Sequence, residues 1–164
     1  VYASVWPHKR TDLAVSYLDR WQAETAFDGR IHWIGRWPER IAFPPHSRWI
    51  RHGRVSDADH ERLLRTVRVS IFFSEYEGFG MPPVEAAIRG ATPVYSDLPV
   101  TRETMGTVGF RFDNDDYVGF VAALENALRT MPAQIEAWRR DLLARHDWNA
   151  VGQRMVDAWR EAEG

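Results

Sequence analysis

"EGFGMPPVEAAIRGATPV", residues 77–94, holds two Glu, three Gly and three Pro around the start of an apolar helix. Directly upstream, "VSIFF" at 69–73 is β-prone and apolar on both faces, as a buried parallel strand is. That strand delivers Ser74, Glu75, Tyr76 and Glu77 to the carboxyl edge of a sheet. Gly78 and Gly80 then admit backbone conformations closed to other residues and allow a ligand to approach closely. Pro82 or Pro83 opens a short helix, and Gly90 closes it before a further strand, "TPVYS". A strand, a glycine turn, a helix and a second strand make one crossover unit. Repeated along the chain, this unit decides the fold.

Working outward, "VYASV", "IHWIG" at 31–35, "WIRHG" at 49–53 and "GFRF" at 109–112 read as strands. Residues 11–26 set Leu13, Tyr17, Leu18 and Trp21 on one helical face. "SDADHERLLRTV" opens with Ser56 as an N-cap and Asp59 at N3 in a capping-box pattern. Three helices are expected over about 114–130, 133–145 and 147–163, with Pro132 breaking the first from the second. Residues 36–48, with three Pro, read as a surface loop. The order predicts an α/β fold: a Rossmann-like open parallel sheet with helices on both faces, in one domain over 1–164. Ligands of such sheets bind beyond the carboxyl ends of the strands. The loops after Val5, Gly53, Phe73 and Ser96 are therefore the ones of interest.

Composition narrows the function. Of 164 residues, 45% are hydrophobic and 27% charged, with a net charge of −2, as in ordinary soluble domains. No segment concentrates basic side chains as a nucleic-acid face does, and the eight Trp are spread along the chain rather than along a basic groove. The absence of Cys excludes disulfides and thiolate metal sites, and the six His are scattered without a His-x3-His pair. Asp57-Ala-Asp59 and Asp113-Asn-Asp115 are explained by capping and by a turn, so no metal is expected. Arg48, Arg51, Arg54, Arg62, Arg65 and Arg68 could face anionic lipid. The chain opens at Val1, without Met, inside an apolar run, and is expected to be a piece of a longer protein.

Chemistry gathers at the quoted stretch. Backbone N–H groups of Phe79, Gly80 and Met81 stand at a helix N-terminus, which attracts phosphate. Carboxylates beside an anion site need a reason, and hydroxyl pairs supply one, because a carboxylate accepts from two adjacent O–H groups. Glu85 suits a ribose diol, and Glu77 suits sugar hydroxyls. A nucleotide diphosphate sugar combines all three features. Of 21 basic residues, Lys9 alone is Lys, which suggests a position where ammonium is preferred to guanidinium.

"SEYEGFGMPPVEAAIRGATPVYSD" resembles the core motif of glycosyltransferase family 4, the retaining GT-B enzymes, in which Glu, seven residues and Glu frame a Gly-Phe-Gly loop. "VYASVWPHKRTDLAVSYL" is similar to the family's opening strand and Lys-containing phosphate loop, with Lys9 in the Lys slot. "RHDWNAVGQRMVDAW" resembles its closing Trp-containing helix. The resemblance implies the donor-binding, carboxy-terminal half of a hexosyltransferase in polysaccharide or glycolipid synthesis. Lys9 and Glu77 would carry the chemistry. His8, Lys9, Arg54, Val55, Glu77, Gly78, Phe79, Gly80, Met81 and Glu85 would bind the donor, with no cofactor. The backbone at Arg54 and Val55 would meet the nucleobase. Ser4 fills a slot where many members carry Arg, leaving His8, Arg10 or a group elsewhere to supply a second positive charge. An amino-terminal acceptor domain and a cytoplasmic location, peripheral at the inner membrane face, are implied. The alternatives are a nucleotide-sugar 2-epimerase and a non-catalytic nucleotide-sugar-binding module.

Overall fold

Within the strand at Val69–Phe72 and its exit, side chains alternate between two layers, because successive residues of a strand point to opposite faces. Ile71 and Phe73 enter one buried cluster and Phe72 another. In this computed structural model, which describes residues 1–163, that alternation organises the chain. The elements run β1 (Tyr2–Ala3), α1 (Thr11–Glu24), β2 (Ile31–Gly35), β3 (Trp49–Gly53), α2 (Asp57–Thr66), β4 (Val69–Phe72), α3 (Met81–Ile88), β5 (Thr92–Ser96), α4 (Pro99–Met105), β6 (Phe110–Phe112), α5 (Tyr117–Arg129), α6 (Pro132–Arg145) and α7 (Trp148–Glu163).

All strand pairs are parallel, and helices cover both faces, as the strand–helix alternation predicts. The ladders form two three-stranded sheets, β1-β2-β3 and β4-β5-β6, rather than the single sheet expected. Register places Tyr2 opposite Ile34, Phe72 opposite Tyr95, and Tyr95 opposite Arg111. Across the junction of β1 and β4 the joint is made by side chains: the Tyr2 ring meets Phe72 edge-on at 6.0 Å. The "VYASV" strand shortens to two residues, because Ser4 turns away: its backbone N–H donates to Thr11 Oγ1 at 2.9 Å, and that hydroxyl returns a bond to the Ser4 carbonyl at 3.0 Å.

One face buries α1 through Ala14, Leu18 and Trp21, and α5 through Phe120, Ala123, Leu124 and Ala127. The other buries α3 through Val84 and Ala87, α4 through Met105, and α6 through Leu142. Helix α2 packs Leu64 against Ala86 and Ala91, which flank the α3 C-terminus. Ser56 caps α2 as expected, its hydroxyl oxygen accepting from the Asp59 N–H at 3.1 Å. The reciprocal bond of a capping box is replaced by the Ser56 hydroxyl donating to the Asp59 carboxylate at 2.8 Å. Pro132 begins α6, as a first-turn proline should.

Helix α4 is an element that the sequence reading passed over. Its seven residues include β-branched Val100, Thr101 and Thr104, which are weak helix formers. Tertiary and capping bonds hold it. The Thr101 hydroxyl accepts from the Leu98 N–H at 2.9 Å and lies 3.0 Å from the Ser96 carbonyl. At its start, Arg102 forks onto both carboxylate oxygens of Asp97 at 2.7 and 2.8 Å. Helix α7 sits at the periphery and exposes Trp148, Met155 and Trp159 along one side. No described helix is long and apolar enough to cross a membrane.

Two outcomes follow from this packing. Leu142 is fully buried and ties α6 to α3, so Leu142→Ala should cost about 2–5 kcal/mol in urea unfolding by the loss of burial and the cavity left. The hydrogen bond from Arg102 holds the Asp97 carboxyl below its ordinary pKa, assisted by the charges of Arg102 and Arg111. A depressed carboxylate pKa stabilises the fold above the unfolded value and loses that contribution as pH falls through the folded one. The urea midpoint of the native chain should therefore drop below about pH 4, and Asp97→Asn should flatten that part of the drop.

Candidate functional site

The site grows from two loops at the carboxyl edge. After β1, residues Pro7–Lys9 form a 3₁₀ turn, and Arg10 follows in the left-handed region at φ 42°, turning the chain into α1. After β4, the chain runs through Ser74 to Glu77. The His8 carbonyl accepts the Glu75 N–H at 2.7 Å, which laces the two loops together by backbone. Side chains complete the joint. The Lys9 ammonium donates to Glu77 Oε1, and Arg10 Nη1 donates to Glu75 Oε1 at 2.6 Å. Lys9 is 24% exposed and Glu77 10%, so this is a half-desolvated pair, stronger than a surface one and costly to leave unpaired.

Beneath the loops lies a polar floor that sequence reasoning missed. Ser74 is fully buried; its N–H donates to Ser96 Oγ at 2.9 Å, and the Ser96 hydroxyl donates to Asn114 Oδ1 at 2.7 Å. Asn114 Nδ2 closes the ring on the Ser74 carbonyl at 2.9 Å. The signal was present: a Ser at the end of each of two apolar strands and an Asn in the next loop. Asp113 does form the expected turn, accepting the Asp115 N–H at 2.9 Å.

Helix α3 aims its N-terminus at this place. Gly80 is its N-cap at φ 80° and ψ 48°, the left-handed conformation for which glycine is suited. Met81 is the first helical residue, so the helix begins one position before the prolines expected to open it. Pro82 and Pro83 have no N–H, and this concentrates the unpaired donors of the helix end on Phe79, Gly80 and Met81. Phe79 and Met81 are exposed, as groups facing a ligand can be.

Lys9 and Tyr2 share a landmark, the Phe72 ring. The Lys9 ammonium lies 5.1 Å from the centroid of the Phe72 ring, and Tyr2 meets the same ring edge-on. Burial first, then the charge of Glu85, push the Tyr2 phenol well above its ordinary pKa. The Tyr2 hydroxyl is paired with His60 Nε2 of α2 at 2.9 Å. His8 stands apart from the ion pairs, its ring edge-on to Tyr76 at 6.4 Å. Arg54 and Val55 line a separate depression of about 330 Å³ after β3, with His52, Ser56, Asp59 and Arg62. An apolar cavity of about 440 Å³ between the sheets is lined by Val1, Ile31 and Val69 at the amino ends of the strands, and lies away from these charges. Among the described residues no group of three or more His, Asp or Glu side chains is placed to hold a metal ion.

Residues 1–130 match the family described as Glycosyl transferases group 1. O-antigen chain mannosyltransferase B of Escherichia coli is 34% identical over 98 residues, 59% of this chain and 24% of that protein. The GDP-mannose:cellobiosyl-diphosphopolyprenol alpha-mannosyltransferase of Komagataeibacter xylinus is 25% identical over 114 residues, 66% of this chain and 29% of that protein. The chain thus spans about a quarter of the length of these relatives. The crystal structure of HepE from Anabaena in complex with UDP and glucose shares the fold, with a TM-score of 0.73 at 14% identity over 98% of this chain and 48% of that one. A family match over most of the residues, on a parallel-stranded frame with the two loops laced at its carboxyl edge, gives the assignment: this chain belongs to the Glycosyl transferases group 1 family.

Proposed function

We propose that the chain is the donor-binding part of a retaining glycosyltransferase that moves a hexose from a nucleotide diphosphate sugar to an acceptor hydroxyl. The observation that carries this reading is the Lys9–Glu77 pair, held by two interlaced loops beside the α3 N-terminus. Glu77 stands where a phosphate oxygen would meet Lys9. A diphosphate brings more negative charge than one carboxylate and adds bonds to the backbone N–H groups of Phe79, Gly80 and Met81. It therefore displaces Glu77 from the ammonium, and the released carboxylate turns to hydroxyls of the sugar. Glu85 holds the ribose diol, and the backbone at Arg54 and Val55 meets the base.

The chemistry assigned to these residues is electrostatic. As the glycosidic bond to the diphosphate breaks, negative charge grows on the leaving oxygens, and Lys9 with the helix end stabilises it without a metal. Retention is accounted for when the leaving phosphate oxygen takes the acceptor proton on the face it vacates. The remaining work is positioning. The acceptor site and further groups are assigned to an amino-terminal domain of the longer protein. The names of the curated relatives make mannose, carried on GDP, the first donor to try. The setting proposed is polysaccharide or glycolipid synthesis on the cytoplasmic side of a membrane. Of the arginines that could face lipid, Arg62 and Arg65 are paired with Asp59 and Glu61, and Arg68 bonds the Leu128 carbonyl. That contact therefore falls to Arg48, Arg51 and Arg54.

A thermal-shift panel of GDP, UDP, ADP and their sugars tests the reading. Ligand at about 100 times its Kd adds about 2.7 kcal/mol to stability, so at least one nucleoside diphosphate should raise Tm by several degrees. Lys9→Met should abolish the shift. Glu77→Gln should tighten nucleoside diphosphate binding severalfold, because the competitor for Lys9 is gone, and should abolish sugar transfer in the longer protein. Full transfer by the Glu77→Gln enzyme would leave this domain a docking module rather than part of a catalyst.

A further inference from the structure

The loop that presents the proposed phosphate donors has little of its own to hold it. Gly78 and Gly80 carry no side chains, and a Cβ at Gly78 would have no heavy atom within 4 Å. Each glycine that must be fixed costs more backbone entropy than any other residue. Between them, Phe79 is the one residue with a large side chain, and it is 42% exposed. Its ring meets the imidazole of His146 edge-on, at 5.5 Å between centroids and 70° between planes.

His146 is itself locked. It follows α6 directly, and its Nε2 lies 3.0 Å from the Thr104 carbonyl in the last turn of α4. A carbonyl only accepts, so this nitrogen carries the proton and the ring orientation is set. Arg145 clamps the same turn, its guanidinium donating to the Thr104 carbonyl at 3.3 Å and to the Met105 carbonyl at 2.9 Å, a cation placed where the helix dipole favours one. Gly106 makes room for it: at φ 58°, a Cβ there would come within 2.9 Å of Arg145 Nη1. Helix α4 in turn touches the loop from below, with Thr101 Cγ2 at 3.3 Å from where a Gly80 Cβ would stand.

We infer that His146 is a positioning residue for the donor loop: clamped on α4, its ring fixes Phe79, so that the N–H groups of Phe79, Gly80 and Met81 face the diphosphate in one arrangement. Arg145 serves the same end by holding α4. The inference rests on the proposed reading of the cleft and adds to it a residue from the α6–α7 junction, nearly seventy positions further along the chain. The consequence is that ordering of the loop is supplied before the ligand arrives, and the ligand's affinity does not bear that cost.

The test is a double-mutant cycle on nucleoside diphosphate affinity, read by calorimetric titration of the 164-residue chain with GDP and with UDP, well below the melting temperature. His146→Gln can keep the bond to Thr104 while losing the ring. It should weaken binding about fivefold, Phe79→Ala should do the same, and the double variant should be no weaker than either single one, because contacting residues couple. His146→Phe, which keeps a ring but loses the Thr104 bond that orients it, should recover only part of the affinity. Independent losses that multiply, or a His146→Gln chain that melts earlier but binds as the native chain does, would overturn the inference. A native chain that binds neither nucleotide would overturn both this and the reading of the cleft; a native chain that binds with unchanged variants overturns this alone.

Discussion

The structure turns on one half-buried ion pair. Lys9 and Glu77 come from loops 68 residues apart, and each would carry an unpaired charge in a poorly hydrated place without the other. Their union sets how the loop after β1 meets the loop after β4. The junction needs this, because no backbone ladder joins the two strands there. The neighbouring pair of Arg10 with Glu75 and the bond from the Glu75 N–H to the His8 carbonyl repeat the same joint twice more. The carboxyl edge of the two sheets is thus assembled largely by paired charges.

The helix behind that edge is fixed by different means. Polar bonds at its N-terminus are few: Gly80 caps α3 with no side chain, and the two prolines contribute no donors. Its position comes from apolar burial of Val84 and Ala87 against Phe72, Tyr95, Met105, Val108 and Leu142. Such burial is worth about 1.5–3 kcal/mol for each large side chain. An element held from behind can leave its front groups unpaired, which is what an anion site requires. Helix α4, the least regular in sequence, sits where both requirements meet. It packs Met105 into the core, and Thr101 lies beside Gly80 at the start of α3.

Much of this was legible in the residues. Alternating strands and helices, the Ser56 cap, the Pro132 start and the glycine turn before α3 each follow a local rule that tertiary context does not oppose. What escaped has a physical reason. Helix α4 is short and β-branched, so its propensity is outweighed by Thr101 and Asp97 bonds that appear only in three dimensions. Pro99 before it and Gly106 after it were its punctuation. At the site, the residue types and spacing of Lys9, Glu77 and Glu85 were readable. The pairing of Lys9 with Glu77 was not, because nothing in the sequence says that the loops after β1 and β4 meet through these two charges. Ser74, Ser96 and Asn114 left a trace at the strand ends, but their ring, like the contacts of His146, is made with neighbours distant in the chain.

The most direct measurement is a crystal structure of the chain with GDP. The account predicts the β-phosphate within hydrogen-bonding reach of Lys9 Nζ and of the Phe79–Met81 N–H groups, Glu77 moved off the ammonium, and Glu85 on the ribose hydroxyls. A nucleotide seated elsewhere with the Lys9–Glu77 pair undisturbed would contradict it.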